Sequence, residues 1–372
     1  MTTPSTGATS QERALLEAAR GGDEQAYRRL LEPYRGPLHA HCYRMLGSLH
    51  DAEDALQDAL LRAWRGLSKV KEPAALRAWL YRIATNASLD AIGRRPKRVL
   101  PMDYGPAADP HNDGLGLPPA ESTWMEPYPD EGIGLQLGYA TPETRYEIRE
   151  SVELAFVAAL QHLPANQRAT LILRDVLGFS AQETAESLET SVASANSALQ
   201  RARKTVDERL PEQSQQASLR TLGDKRIRLV VEAYMDAMHR GDVDAVVEML
   251  AEDATWSMPP LAAWFSGRDA LADFLALGPL SGDWRWRHYP ARANGQAAVG
   301  SYCWYAEEER YRPFALDVLT LEGMDIKAIT SFITRSTLSR DRHYYERWPE
   351  QPLDPSEVGI AFERFRLPAW LD

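Results

Sequence analysis

SAQETAESLETSVASANSALQRARK, residues 180–204, contains two short helices and the turn between them. Ser180 followed by Glu183 is a capping box, in which hydroxyl and carboxylate each take a backbone N–H that a helix start leaves unpaired. The helix it opens, AQETAESL, runs to Leu188, and Glu189–Thr190–Ser191 forms the turn. In the next helix Ala195, Leu199, Ala202 and Val206 recur at helical spacing and predict a buried stripe. Ser194, Ser197, Arg201 and Lys204 make a polar and basic stripe on another face. Small residues early and cations late suit a helix laid into the DNA major groove, reading base edges near its start and gripping phosphates. An ordinary αα-hairpin would carry the same buried stripe, so both readings stay open at this point.

Upstream, Ala52, Leu56, Ala59, Leu60, Ala63, Trp64 and Leu67 repeat with a 3.6-residue period and predict a second amphipathic helix. Ser48 with Asp51 resembles a capping box that fixes its start. Asp51, Asp54 and Asp58 occupy the opposite face early, and Arg62 and Arg65 late, an order that suits the helix dipole. Residues 77–98, RAWLYRIATNASLDAIGRRPKR, set Arg77, Arg82, Arg94, Arg95, Lys97 and Arg98 against Asp90 alone. Cations with Trp79 and Tyr81 interleaved offer phosphate attraction and stacking faces for unpaired bases. A half-buried helix with snorkelling arginines is the competing reading.

The 372 residues imply two or three domains, and the net charge of −11 argues against a protein that coats nucleic acid through its overall charge. No run reaches the length of a membrane span, and MTTPSTGATS is not a secretory leader. Two distant cysteines, Cys42 and Cys303, exclude a disulfide framework and make a reducing cytoplasm the default. His39 and His41 point to different sides of a helix, so no metal site is expected there, and no cofactor is implied. Residues 101–140 hold seven Pro and six Gly, with Asp103, Asp109, Asp113, Glu121, Glu126, Asp130 and Glu131 and no Lys or Arg. That composition predicts an acidic, irregular connector, although Trp124 to Tyr128 is too aromatic for a pure spacer and is expected to dock. A second seam, PEQSQQASLRTLG at 211–223, is polar and without period.

Taken in order, DAEDALQDALLRAW (51–64), LRAWLYRIATNASLDAIGRR (76–95), LPANQRATLILRDVLGFSAQETAESL (163–188) and SANSALQRARK (194–204) resemble the extracytoplasmic-function (group IV) sigma factors of bacterial RNA polymerase. The likeness covers about residues 10–210. It implies a non-catalytic chain with two all-α domains, at 10–100 and 141–210, joined by the flexible linker 101–140. It further implies that Asp51, Asp54, Gln57, Asp58 and Arg62 dock on core polymerase, and that Trp79, Arg82 and Asn86 face the −10 element. Ser194, Asn196, Ser197, Gln200, Arg201, Arg203 and Lys204 would face the −35 element. The connector would thread toward the basic RNA path of the polymerase. Two features depart from the family pattern. Glu189 stands where a turn glycine is common, so a differently shaped turn is expected. Asn196 and Ala198 stand where cations are common, which puts the base contacts in doubt.

Residues 224–340 read as helices followed by strands, with the helix 227–253 broken at Gly241-Asp242 and a turn at Glu322-Gly323. AYMDAMHRGDVDAVVEMLAEDATW and LDVLTLEGMDIKAITSFI resemble the SnoaL-like, nuclear-transport-factor-2-like α+β fold, a curved sheet closed by helices into a cone. Trp256, Trp264, His288, Trp304 and Asp317 are the candidate lining of its interior, and a small molecule or a protein is the expected occupant. The tail 341–372, with Tyr344, Tyr345, Trp348, Phe362, Phe365 and Trp370 among prolines, is expected to dock rather than solvate. The reading is a promoter-specific sigma factor regulated by its fused cone. A cyclase- or isomerase-type enzyme with a degenerate DNA-binding head, and a ligand-responsive repressor, are the alternatives. A repressor needs neither the 51–64 nor the 76–95 motif, and the sequence displays no acid/base pair for an enzyme.

Overall fold

The computed structural model describes residues 10–94, 97–112, 124–133, 149–306, 308–333 and 362–372. Arg95, Asp113, Glu121, Tyr344, Tyr345 and Trp348 lie outside them. The chain divides into two compact units, one of residues 1–97 with 131–210, the other of residues 98–130 with 211–372.

The first unit is all helix. Helices α1 (Ser10–Arg20), α2 (Glu24–Leu46), α3 (Leu49–Gly66) and α4 (Leu76–Ile92) pack as one bundle. Asp23 opens α2 by accepting from the N–H groups of Gln25 and Ala26, and Ser48 opens α3 by accepting from Asp51. Then follow α5 (Leu154–Gln161), α6 (Ala165–Leu171) running into a π turn at Ile172–Val176, α7 (Ala181–Ser187) and α8 (Val192–Asp207). The expected capping box is present, with Ser180 Oγ receiving Glu183 N–H and Glu183 Oε2 receiving Ser180 N–H. Ala195, Leu199, Ala202 and Val206 are all buried, as the period requires.

Buried hydrogen bonds sew the two helical segments together. The Arg168 guanidinium of α6 donates to the Met45 carbonyl at the end of α2, and also to Gln161 O, Gln161 Oε1 and Leu163 O. Arg44 donates to the Ser151 hydroxyl at 2.9 Å and to its carbonyl at 3.0 Å. Each of these carbonyls ends a helix or a turn, where no backbone donor is available, so the arginines act as the missing donors.

The second unit is α+β. Helices α9 (Gln215–Leu222), α10 (Asp224–Arg240) and α11 (Val243–Glu248) precede strands β1 (Leu250–Ser257) and β2 (Trp264–Ser266). Helix α12 (Arg268–Leu277) leads to β3 (Trp286–Ala293), β4 (Gln296–Tyr305), β5 (Arg310–Glu322) and β6 (Asp325–Ile333). The sheet order is β2-β1-β6-β5-β4-β3, antiparallel except for the parallel β1–β6 pair. Helices α10 and α12 close its concave side around Tyr234, Trp256, Phe265 and Phe274. Gly241, at φ 68°, ends α10 in the left-handed conformation, and Asp242 caps α11.

Two local readings, of the 211–223 seam and of the connector, need correction. The seam at 211–223 contains a helix, α9, in which Gln215 and Gln216 are buried. Gln215 gives its amide N–H to Leu321 O and its carbonyl oxygen receives Leu321 N–H, so one side chain supplies what a neighbouring strand would. Strand β3 lacks an alternating pattern and contains Pro290, which the sheet tolerates because β3 is its edge. The connector is not a free polymer over its described residues. Val99 bridges Trp124, and Trp124, Met125 and Tyr128 are buried. Its acids are engaged internally: Glu126 with Arg98, Asp130 with Arg292, and Asp109 with the backbone of His111.

The end of the chain docks, in line with its aromatic content. Leu371 pairs with Tyr311 through two backbone hydrogen bonds, and Tyr302 donates to the Pro368 carbonyl at 2.7 Å. Leu367 sits over Gly300, where an added Cβ would come within 2.5 Å of its Cδ1. Phe362 is buried against Tyr302, whereas Trp370 stays exposed with Arg310 over its ring.

Candidate nucleic-acid interface and the cavity of the cone

On α3, Asp54 and Gln57 are exposed and Asp58 is half-buried. Asp51 is not on this face. It is 3% exposed, because it is the third residue of the helix and its N–H is the one that Ser48 caps. Arg62 is a brace as well as a surface group, bonding Asp58 at 2.6 Å and Asp90 of α4 at 2.8 Å. Sequence reasoning missed Leu61, which lies four residues after Gln57 and is 57% exposed. Its position outside the buried stripe was the available signal.

On α4, Arg82 is exposed while Trp79 and Asn86 are half-buried. Trp79 covers Gly66 at the end of α3. Tyr81 is buried against Phe179 and so cannot stack on a base. Arg77 donates to the Leu177 carbonyl and lies 4.6 Å above the Phe179 ring. Arg82 pairs with Glu189 at 2.9 Å. This places Arg82 against the turn between α7 and α8, and Arg77 against the loop that precedes α7. The turn keeps the left-handed geometry despite its glutamate, with Glu189 at φ 52°. The expectation of a differently shaped turn is thereby overturned, and the ion pair to Arg82 offsets part of the strain.

On α8, Ser194, Asn196, Ser197, Gln200, Arg201, Arg203 and Lys204 are all exposed, opposite the buried stripe. Arg203 is fixed by a two-pronged bond to Asp175, at 2.7 and 2.9 Å. That contact raises the pKa of the guanidinium. A shallow groove beside the helix is walled by Arg174, Asn196, Gln200, Arg203 and Lys204. Small polar groups and cations on one open helix face can approach base edges and phosphates together.

The cone encloses a cavity of about 270 Å³. Trp256, His288 and Asp317 line it. Trp264 and Trp304 do not. The Trp264 indole N–H donates to the Gly105 carbonyl of the connector, and Trp304 stacks edge-on against Tyr311. Phe265, Phe274, Trp284, Trp286 and Phe314 complete the walls. At its floor Asp317 Oδ2 accepts from Ser301 at 2.8 Å and from Tyr234 at 3.2 Å, while Trp256 Nε1 donates to Ser331. Burial pushes the Asp317 carboxyl above the usual carboxylate range, against the opposing pull of its hydroxyl donors. His288 stands across the β3–β4 ladder from Ser301. Both its ring nitrogens are shut off from solvent without a hydrogen-bond partner, and burial, reinforced by His239, lowers its pKa to about 3. His288 and Asp317 therefore share one cavity, which sequence alone could not establish.

Three families match the chain: Sigma-70 region 2 over residues 30–98, Sigma-70 region 4 over 153–206, and a SnoaL-like domain over 231–329. The ECF RNA polymerase sigma factor SigG of Mycobacterium tuberculosis is 40% identical over 316 residues, 84% of this chain and 82% of that protein. The RNA polymerase sigma-H factor of Pseudomonas aeruginosa is 28% identical over 203 residues, 54% of this chain and 94% of that protein. Among solved structures, the extracytoplasmic function sigma factor SigJ of Mycobacterium tuberculosis aligns with a TM-score of 0.50 at 25% identity. That alignment covers 80% of this chain and 93% of the other. With helical regions 2 and 4 in order and a cone behind them, the chain belongs to the extracytoplasmic-function sigma factors that carry a C-terminal SnoaL-like domain.

Proposed function

We propose that this sigma factor, acting with core RNA polymerase in transcription initiation, is held in check by its own cone through the connector between regions 2 and 4. Asp54, Gln57, Asp58 and Leu61 form the proposed polymerase-docking face of α3. Trp79, Arg82 and Asn86 are proposed to meet the −10 element, and the exposed face of α8 the −35 element. The observation that carries the regulatory part is the exchange between connector and cone: Ala108 N–H donates to the Trp264 carbonyl at 2.8 Å, and Trp264 Nε1 to the Gly105 carbonyl at 2.9 Å. A second anchor joins the Tyr128 backbone to Asn294, with Asp130 bonded to Arg292. Holding residues 105–130 on the cone shortens the part of the connector that can extend while the two regions reach elements spaced along a promoter.

The test is run-off transcription with core polymerase on a genomic promoter pool. Trp264→Phe, which removes the indole bond to Gly105 while keeping an aromatic ring, is expected to raise transcript yield, and Gln57→Ala with Leu61→Ala to lower polymerase capture. Equal output from the parent chain and an anchor-deleted chain would remove the regulatory reading. Glu189→Gly gives an independent check on Arg82. Relief of left-handed strain and the entropy of glycine nearly cancel, so stability should shift by less than about 1 kcal/mol. Freed from its partner, Arg82 should raise promoter-DNA affinity by up to roughly fivefold, the scale of one exposed ion pair. Unchanged affinity in a titration would place Arg82 away from DNA.

A further inference from the structure

We propose that the cavity of the cone is an effector site for a small, uncharged aromatic molecule bearing a hydroxyl or carbonyl group, and that the connector forms one wall of that site through Pro110. Pro110 lies among the residues that line the cavity, as do Trp284, Trp286 and Phe314, whose rings meet edge-on. Its position is fixed on both sides. Ala108 and Gly105 bond Trp264, and His111 Nε2 lies 3.0 Å from Asp273 Oδ2 on α12. An occupant therefore touches the segment that joins region 2 to region 4.

The lining selects the occupant. Its walls are aromatic and no Lys or Arg borders it among the described residues, so an anion would meet no counter-charge from them. Among the described lining residues a cation would meet Asp317 alone as an acid, and its Oδ2 already accepts two hydroxyl protons. His288 stays neutral, so the site presents one imidazole N–H and one imidazole lone pair, both without a partner. Buried polar nitrogens left unpaired are costly, and a hydroxyl or carbonyl on the occupant removes that cost. Flat walls made of stacked and edge-on rings, such as Phe265 with Phe274 at 4.5 Å, favour a flat ring system. The space suits about two fused rings, at the small end of ligand pockets.

The effect on transcription rests on the reading that the cone governs the connector, whereas the binding itself does not. The probe is 2-naphthol, titrated calorimetrically into the full chain, with 2-naphthoate as its anionic counterpart. Saturable one-to-one binding of 2-naphthol is expected, with 2-naphthoate at least roughly tenfold weaker. His288→Leu should weaken 2-naphthol by roughly tenfold, the scale of a hydrogen bond lost in a dry site, and His288→Gln should restore part of it. Bound 2-naphthol should also slow amide hydrogen exchange at Gly105–Asn112. Absence of saturable binding, or equal binding of the anion, would overturn the assignment of the ligand. Binding that leaves exchange in the connector unchanged would overturn the role of Pro110. Binding with connector protection but no change in run-off yield would leave the site standing and remove the regulatory reading instead.

Discussion

Arg168→Met is expected to destabilise the helical unit by about 2–4 kcal/mol and to lower its unfolding midpoint by roughly 5–15 °C. The guanidinium is buried and donates to carbonyls that belong to α2, α5 and the turn after it. Methionine fills the volume but leaves Met45, Gln161 and Leu163 carbonyls without donors in a dry site, and that loss exceeds the gain from not burying a cation. Burial lowers the Arg168 pKa only to about 10, so the charge persists at neutral pH. Lysine should not rescue, because one ammonium cannot span acceptors that a planar fork reaches together. Differential scanning calorimetry of the parent, Arg168→Met and Arg168→Lys decides it. A loss under about 0.5 kcal/mol would mean that water replaces the guanidinium.

Acidification should produce a comparable loss through His41. Thr85 donates its single hydroxyl proton to Tyr81 O, so its oxygen must accept from His41 Nε2–H. That fixes the neutral tautomer and leaves Nδ1 buried without a partner. Burial, with Arg44 nearby, lowers the His41 pKa to about 3. The folded value lies below the unfolded one of ~6.5, so the unfolded chain takes up a proton that the folded chain refuses. Stability is full above the unfolded value and falls as pH drops toward the folded one, by about 1.4 kcal/mol per pH unit. Between pH 7 and 5 the helical unit should lose about 2 kcal/mol, and His41→Leu should flatten the slope. His288 pulls the cone in the same direction, but Asp317, whose raised pKa keeps its proton longer in the fold, opposes it. The cone should therefore respond less steeply. A pH-independent helical unit in chemical denaturation would show that His41 titrates freely.

The helices were legible because their buried stripes repeat at 3.6 residues and their starts carry short polar caps. Asp51 shows the limit of a helical wheel. The wheel places it with Asp54 and Asp58, but capping geometry turns the first turn inward, and two local rules competed for one residue. Gln215 was illegible for another reason, because a glutamine reads as solvent-facing until the strand edge that it completes is known. Among the tryptophans, Trp256 lines the cavity and Trp264 and Trp304 do not, since facing depends on strand register and sequence gives only parity. His288 and Asp317 come together through the register of three strands, β3, β4 and β5, joining residues far apart in the chain.

The connector precedes its own docking site in the chain, and synthesis runs in that order. Regions 2 and 4 are complete by about residue 210, whereas the β3–β4 hairpin that receives Tyr128 and Asp130 ends near residue 305. At ~5–20 residues per second, roughly 5–20 seconds of translation separate the two. During that interval a nascent chain carries both DNA-reading regions and an untethered connector, and a message truncated before the hairpin leaves it so for good.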